Sequence, residues 1–156
     1  MGSNLGDSQK IFCGAMARLQ NFSAGSILKS SLWQTSPVDC HPGSPKFLNA
    51  VVALIPQANE TPESLLKKLQ ALEKEFGRVA KKIPNEPRPL DLDLIVFGRE
   101  IRSSALLTLP HPRARERRFV LQPLSEIAPE LILPGQARTV AQLLAGLDDA
   151  EACEKI

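Results

Sequence analysis

Residues Arg88 to Gly98 read Arg-Pro-Leu-Asp-Leu-Asp-Leu-Ile-Val-Phe-Gly, and no other stretch narrows the possible folds of this chain as much. Branched and aromatic apolar residues run between a proline and a glycine, which predicts a strand over Leu90 to Phe97. Successive side chains of a strand point to opposite faces, so Asp91 and Asp93 emerge on the same side with roughly 7 Å between their Cα atoms. Leu92, Leu94 and Val96 take the other side, and Ile95 and Phe97 continue the face of the acids. Such a strand is buried on both faces in its second half, with its two carboxylates where it leaves an open loop.

Two carboxylates at that spacing repel one another unless a cation or several donors lie between them. They suit hard divalent ions that keep part of their water and share oxygens with phosphate. The alternative is an edge strand with solvated acids. The surroundings favour an ion, because basic residues crowd both flanks. From Arg78 to Arg118 there are ten Lys and Arg against five Asp and Glu, while the remainder has nine against twelve. The overall charge of +2 is too small for bulk nucleic-acid binding. A basic excess held in one segment instead fits a compact polyanion such as a triphosphate.

The 156 residues fit one domain with a single sizeable core. No apolar run is long enough to cross a bilayer and no secretory signal opens the sequence, so a cytoplasmic protein is expected. Cys13, Cys40 and Cys153 lack metal-type spacing and are read as reduced thiols without a role; Cys40 between Asp39 and His41 is a loop trio too small for a metal site.

The turn at Gly2 to Asp7 leads into a helix capped by Asp7 or Ser8, with Ile11, Phe12, Ala15, Met16, Leu19 and Phe22 as its core stripe and an end at Gly25 and Ser26. Strands are expected over Ile27 to Thr35 and Phe47 to Ile55, separated by a proline-rich loop. Asn49 interrupts the second, and a buried amide requires a hydrogen-bond partner, either backbone or a polar heterocycle. Thr61, Pro62 and Glu63 start a helix whose buried face is Leu65, Leu66, Leu69, Leu72 and Phe76, closed by Gly77. Residues 78–89 form a basic loop in which Arg88 lies between two prolines. A turn and short strand follow over Arg99 to Leu109, then His111 between prolines, an arginine cluster, a helical segment through Ile127, a helix from Thr139 to Leu147, and an acidic tail expected to fray. This order predicts an α+β domain in which helices cover a mainly antiparallel sheet.

Taken together, Gly-Ser-Asn-Leu-Gly-Asp at 2–7, Thr-Ser-Pro-Val at 35–38, Phe-Leu-Asn-Ala at 47–50, Gly-Arg at 77–78, Pro-Arg-Pro-Leu-Asp-Leu-Asp at 87–93, and Leu-Pro-His-Pro with Arg-Arg-Phe at 109–119 resemble the 6-hydroxymethyl-7,8-dihydropterin pyrophosphokinase family of folate synthesis. The resemblance implies a ferredoxin-like sandwich over residues 1–156 and transfer of a diphosphoryl group from ATP to the pterin hydroxymethyl oxygen, releasing AMP. It implies two Mg²⁺ ions on Asp91 and Asp93. Arg78, Arg88, His111 and Arg117 then act on phosphate, Gln70 approaches the nucleotide, and Thr35, Val38, Phe47, Asn49 and Phe119 bind the pterin, with residues 78–89 as a lid. Partners are small molecules, without nucleic acid or membrane, and the protein is expected to be a monomer. Rival readings are a nucleotidyltransferase releasing pyrophosphate, a nucleic-acid-binding module of the same fold, and a relative that binds pterin without turnover; one tryptophan and no tyrosine supply a base-stacking platform poorly. Against the family pattern, only Met1 stands where relatives carry an apolar strand before Gly2, Phe47 replaces a tyrosine of some members, and Pro112 replaces an aromatic.

Overall fold

The computed structural model describes residues 1–36, 43, 45–79, 86–148 and 152–156. Its strands are β1 (Gly2–Ser3), β2 (Leu28–Lys29), β3 (Trp33–Thr35), β4 (Phe47–Asn49), β5 (Val52–Ala53), β6 (Arg102–Ser103), β7 (Thr108–Leu109) and β8 (Cys153–Lys155), and its α-helices are α1 (Ser8–Gln20), α2 (Pro62–Glu75), α3 (Arg118–Ile127) and α4 (Val140–Ala145). One sheet has the order β1-β4-β3-β8, and β2-β5 and β6-β7 form two smaller ones. Every pairing is antiparallel, which bears out the α+β class.

The helices start where their caps dictate. Asp7 accepts from the backbone of Lys10 at the head of α1. Thr61 and Ser64 form a reciprocal capping box on α2, and Thr139 and Gln142 do the same on α4. The first helix ends at Asn21, short of Gly25, because Gln20 turns its side chain onto the Gly25 carbonyl.

Alternation along the strands then divides the apolar residues between two cores. Leu48, Ala50 and Leu92 pack with Phe12, Ala15 and Leu19 of α1 and Leu65, Leu69 and Leu72 of α2. Val51 and Val96 pack against the second core, made by Leu121 and Leu124 of α3, Leu133, and Val140 and Leu143 of α4. Glu126 of α3 ties this half to the sheet by accepting from Trp33 Nε1 at 3.3 Å and pairing with Lys155 at 2.8 Å.

Several expectations are corrected. The long strand over 27–35 is two short ones, and so is that over 47–55. The reason is Ser30, whose backbone donates to Val51 while its hydroxyl accepts from the Val51 backbone, a side-chain substitution in the ladder where the chain passes from one sheet to another. The region 99–109 is a hairpin of two strands, and the tail, instead of fraying, adds β8 to the edge of β3.

The largest correction concerns Leu90 to Phe97, where only Asp91 is bridged, to Gly2. Among the described residues no ladder joins this segment to Val52–Ala53. The two line a cleft of about 420 Å³ together with Met1, Leu124 and Leu131. Without a strand alongside to enforce the pleat, alternation slips: Leu92 and Leu94 keep to the first core, but Val96 joins the second and Phe97 the first. Asp91, Asp93 and Ile95 do share one face, as expected, and all three line the cavity described next.

Candidate active site

The end of α2 aims the first arginine. Gly77 adopts φ +89°, its N–H donates to the Lys74 carbonyl at 3.0 Å, and the N–H of Arg78 returns to the Glu73 carbonyl at 3.0 Å. This is a Schellman motif, and it requires a left-handed residue where glycine alone carries no Cβ penalty. It folds Arg78 back over Glu73, so that Nη1 pairs with the Glu73 carboxylate and, at 2.7 Å, with Asp91 Oδ1.

The second arginine is placed by the N-terminal turn. Gly2 and Asp91 exchange both backbone hydrogen bonds, at 2.9 and 2.8 Å. Two residues on, the Asn4 N–H donates to the Arg88 carbonyl at 3.1 Å and Asn4 Oδ1 accepts from the Arg88 N–H at 2.9 Å. Residues 2–4 are thus a clamp on residues 88–91. Held this way, Arg88 Nη2 reaches Asp91 Oδ2 at 2.5 Å, and its guanidinium lies 5.6 Å from the centre of the Phe47 ring.

The sheet and α3 supply the remaining walls. Phe47 and Asn49 alternate with buried Leu48, so both face away from the first core. Asn49 Nδ2 donates to Thr35 Oγ1 at 2.8 Å across the β3–β4 pair. At the start of α3, Arg117 lies 5.3 Å from the ring of Phe119. Thr35, Phe47, Asn49, Arg88, Asp91, Asp93, Arg113, Arg117 and Phe119 all line one cavity of about 110 Å³.

Sequence reasoning therefore brought together Thr35, Phe47, Asn49, Phe119, Arg88, Arg117 and both aspartates. Arg78 joins them through Asp91. His111 belongs to a neighbouring cavity of about 250 Å³, shared with Asp93, Leu66, Leu107 and Thr108. Its backbone donates to the Ile95 carbonyl at 2.8 Å, and its Nδ1 accepts from the Arg113 N–H at 3.3 Å, which fixes the ring. Gln70 is exposed on α2, one turn beyond Leu66, and lines neither cavity. Val38 lies outside the described residues, as do residues 80–85 of the expected lid and the Asp39, Cys40 and His41 trio.

Three residues escaped the sequence reading. Arg113 lines the first cavity although Arg117 alone was singled out from its cluster. Asn4 gave no signal beyond its place in a turn. Glu73 did give one: it sits on the apolar stripe of α2, four residues after Leu69 and three before Phe76, where an acid must be buried. It is 5% exposed, and its carboxylate also accepts from the Leu92 N–H at 2.6 Å. Burial pushes its pKa up, against the opposing pull of that hydrogen bond and of Arg78.

The donor set fits magnesium and a phosphate chain. Asp91 and Asp93 offer hard oxygens, and among the described residues no group of three or more His, Cys, Asp or Glu could close a complete protein cage. Mg²⁺ is typically held by one or two carboxylates, with water and substrate phosphates filling its other positions. Arg88 Nε is buried without a hydrogen-bond partner among the described residues, a donor left over for an oxygen that the protein itself does not supply.

Comparison with known proteins agrees with this geometry. A family model described as 7,8-dihydro-6-hydroxymethylpterin-pyrophosphokinase matches residues 1–129. The 2-amino-4-hydroxy-6-hydroxymethyldihydropteridine pyrophosphokinase of Synechocystis is 36% identical over 95% of this chain and 74% of its own length. The protein of the same name from Bacillus subtilis is 38% identical over 84% of this chain and 77% of its own. The folic acid synthesis protein fol1 of Pneumocystis carinii is 38% identical over 96% of this chain, which spans only 20% of that longer protein. With a cavity that joins paired aspartates, arginines and two phenylalanines, and with these matches in sequence, the chain belongs to the 7,8-dihydro-6-hydroxymethylpterin-pyrophosphokinase family.

Proposed function

We propose that this chain, acting as a single pyrophosphokinase domain, transfers a diphosphoryl group from ATP to 6-hydroxymethyl-7,8-dihydropterin and releases AMP. The observation that carries this reading is that Asp91, Asp93, Asn49 and the Phe47 and Phe119 rings open into one cavity bordered by Arg88, Arg113 and Arg117. A flat heterocycle is held between the two phenylalanine rings and read by the Asn49 amide, whose oxygen is left to accept once Nδ2 is committed to Thr35. The pterin hydroxyl oxygen then forms a bond to the β-phosphorus, the bond from that phosphorus to the oxygen bridging to the α-phosphate breaks, AMP leaves with those electrons, and the hydroxyl proton is released.

Asp91 and Asp93 would hold two Mg²⁺ ions, which when bound offset phosphate charge as Lewis acids. Arg78, Arg88 and Arg117 supply charge-assisted donors to the phosphates, suited to chemistry that depends on positioning and electrostatics rather than on a covalent intermediate. His111, which lines the adjoining cavity with Asp93 and Leu66, is assigned to the phosphates, and Gln70, further along the same helix as Leu66, to the nucleotide. The substrates are small molecules and the setting is the cytoplasm; among the described residues no helix is long and apolar enough to cross a membrane.

The test is an assay of products from ATP, Mg²⁺ and hydroxymethyl-dihydropterin. AMP formed in step with pterin consumption supports the reading. Pyrophosphate release would assign a nucleotidyl transfer, and pterin binding without AMP would assign a binding protein.

A further inference from the structure

Asp91 and Asp93 share a face but not a condition. Both oxygens of Asp91 are taken by guanidinium groups, Oδ1 by Arg78 at 2.7 Å and Oδ2 by Arg88 at 2.5 Å, and its side chain is only 12% exposed. Asp93 is exposed and has no hydrogen bond or ion pair among the described residues. Arg78 is held from a second side by Glu73, which shares the same Nη1 and also grips the backbone at Leu92, between the two aspartates.

We infer that Arg78 and Arg88 compete with the divalent ion for Asp91, so that the carboxylate is released to the ion only when phosphate arrives to take the guanidinium groups in exchange. This deepens, and rests on, the reading of the site as one for a nucleotide with its ion.

The charges argue for it. Asp91 is already matched by the two guanidinium groups it pairs with. A bare divalent ion on Asp91 adds two positive charges beside them and strips both of their carboxylate, a costly loss where solvent screens little. A phosphate chain brings anionic oxygens in place of the two that Asp91 gave up, and arginine makes charge-assisted hydrogen bonds to carboxylate and phosphate alike. Glu73 makes the exchange local: because it shares Nη1, Arg78 stays tethered beside the cavity when Asp91 lets go. Asp93 is the entry point at which an ion can first be held, and Asp91 completes the site once its arginines have turned. Ion and nucleotide binding are then linked, each strengthening the other by the same factor.

The experiment measures binding of Mn²⁺ by its free-ion resonance signal, with and without α,β-methylene-ATP, in the native chain and in Arg78→Met and Arg88→Met. In the native chain the nucleotide analogue is expected to tighten Mn²⁺ binding by about tenfold or more; without nucleotide each variant is expected to bind Mn²⁺ about tenfold tighter than the native chain, and to gain less from the analogue. Variants whose Mn²⁺ affinity without nucleotide equals or falls below the native value would overturn the inference. Arg78→Met leaves Glu73 buried without its cation and could fail to fold; Arg88→Met leaves Asp91 paired with Arg78 and reads the same quantity. The product assay separates the two ideas. Native protein that forms AMP while the variants bind Mn²⁺ no better refutes the exchange alone, and the expected Mn²⁺ pattern without AMP formation refutes the proposed reaction alone.

Discussion

Asn49 donates from Nδ2 to the hydroxyl of Thr35 across 2.8 Å inside the β3–β4 pair, and both residues are at most 5% exposed. The bond fixes which end of the amide faces the cavity. It also means that the residue, in the proposed reading, would serve the sheet and the ligand at once. In Asn49→Ala the Thr35 hydroxyl loses its partner, and a buried polar group left unsatisfied costs about 1–3 kcal/mol. Pterin affinity is expected to fall about tenfold or more in the same variant, the effect of losing one good hydrogen bond. Urea unfolding and calorimetric titration read the two losses separately; unchanged affinity would remove Asn49 from the pocket.

The unequal settings of the two aspartates give a paired prediction. Asp91→Asn and Asp93→Asn are each expected to lower AMP formation by about a hundredfold or more, as the loss of a fixed electrostatic group does. Their stabilities should differ. Asp91→Asn weakens two ion pairs and lowers the melting temperature, whereas Asp93→Asn, at an exposed side chain without an ion pair among the described residues, leaves it unchanged. Equal melting temperatures would show that the pairs on Asp91 contribute nothing to stability.

Gly77 carries the turn that aims Arg78. Because φ is +89°, any side chain there meets the left-handed penalty, about 1–2 kcal/mol for one residue. Gly77→Ala is expected to lose that much stability by chemical denaturation, and to lower AMP formation because Arg78 no longer folds back over Glu73. Full activity with lowered stability would separate the turn from the chemistry.

The α2 helix also offers a pH-dependent contact away from the cavity. Arg102 donates to Glu63 at 2.7 Å, and this hydrogen bond holds the Glu63 carboxyl below the usual glutamate range. A depressed carboxyl contributes stability that is present above its unfolded pKa and lost as the pH falls through its folded one. In Arg102→Met, the Glu63 titration followed by carbon NMR should move upward, towards the ordinary value. A titration that stays low would point to another source of the shift. Both groups are solvent-accessible, so the effect on global stability is expected to be small.

How much of this was legible beforehand depends on whether a residue's role is local. The capping of α2 by Thr61 and Pro62, the glycine that ends it, and the shared face of Asp91 and Asp93 follow from spacing and backbone chemistry within a few residues, and the structure has them. The partner of a strand is not local. The apolar run after Asp93 has every mark of a strand, yet a strand exists only where another lies alongside, and Leu92 to Phe97 faces a cleft instead. The clamp of Asn4 on Arg88 joins residues 84 positions apart, beyond the reach of any periodicity. Glu73 was within reach, since an acid on a buried stripe requires a cation, and Arg78 lies just past the glycine that ends the helix.

The cavity lies where the two cores meet. Phe47, Asn49 and the aspartates come from segments anchored on α1 and α2, while Arg113, Arg117 and Phe119 ride on the segment entering α3, whose apolar residues belong with α4. A substrate wedged between Phe47 and Phe119 would therefore bolt together halves that otherwise share little more than the sheet. Amide hydrogen exchange in α4, which supplies none of the residues that line the cavity, should slow when the cavity is filled.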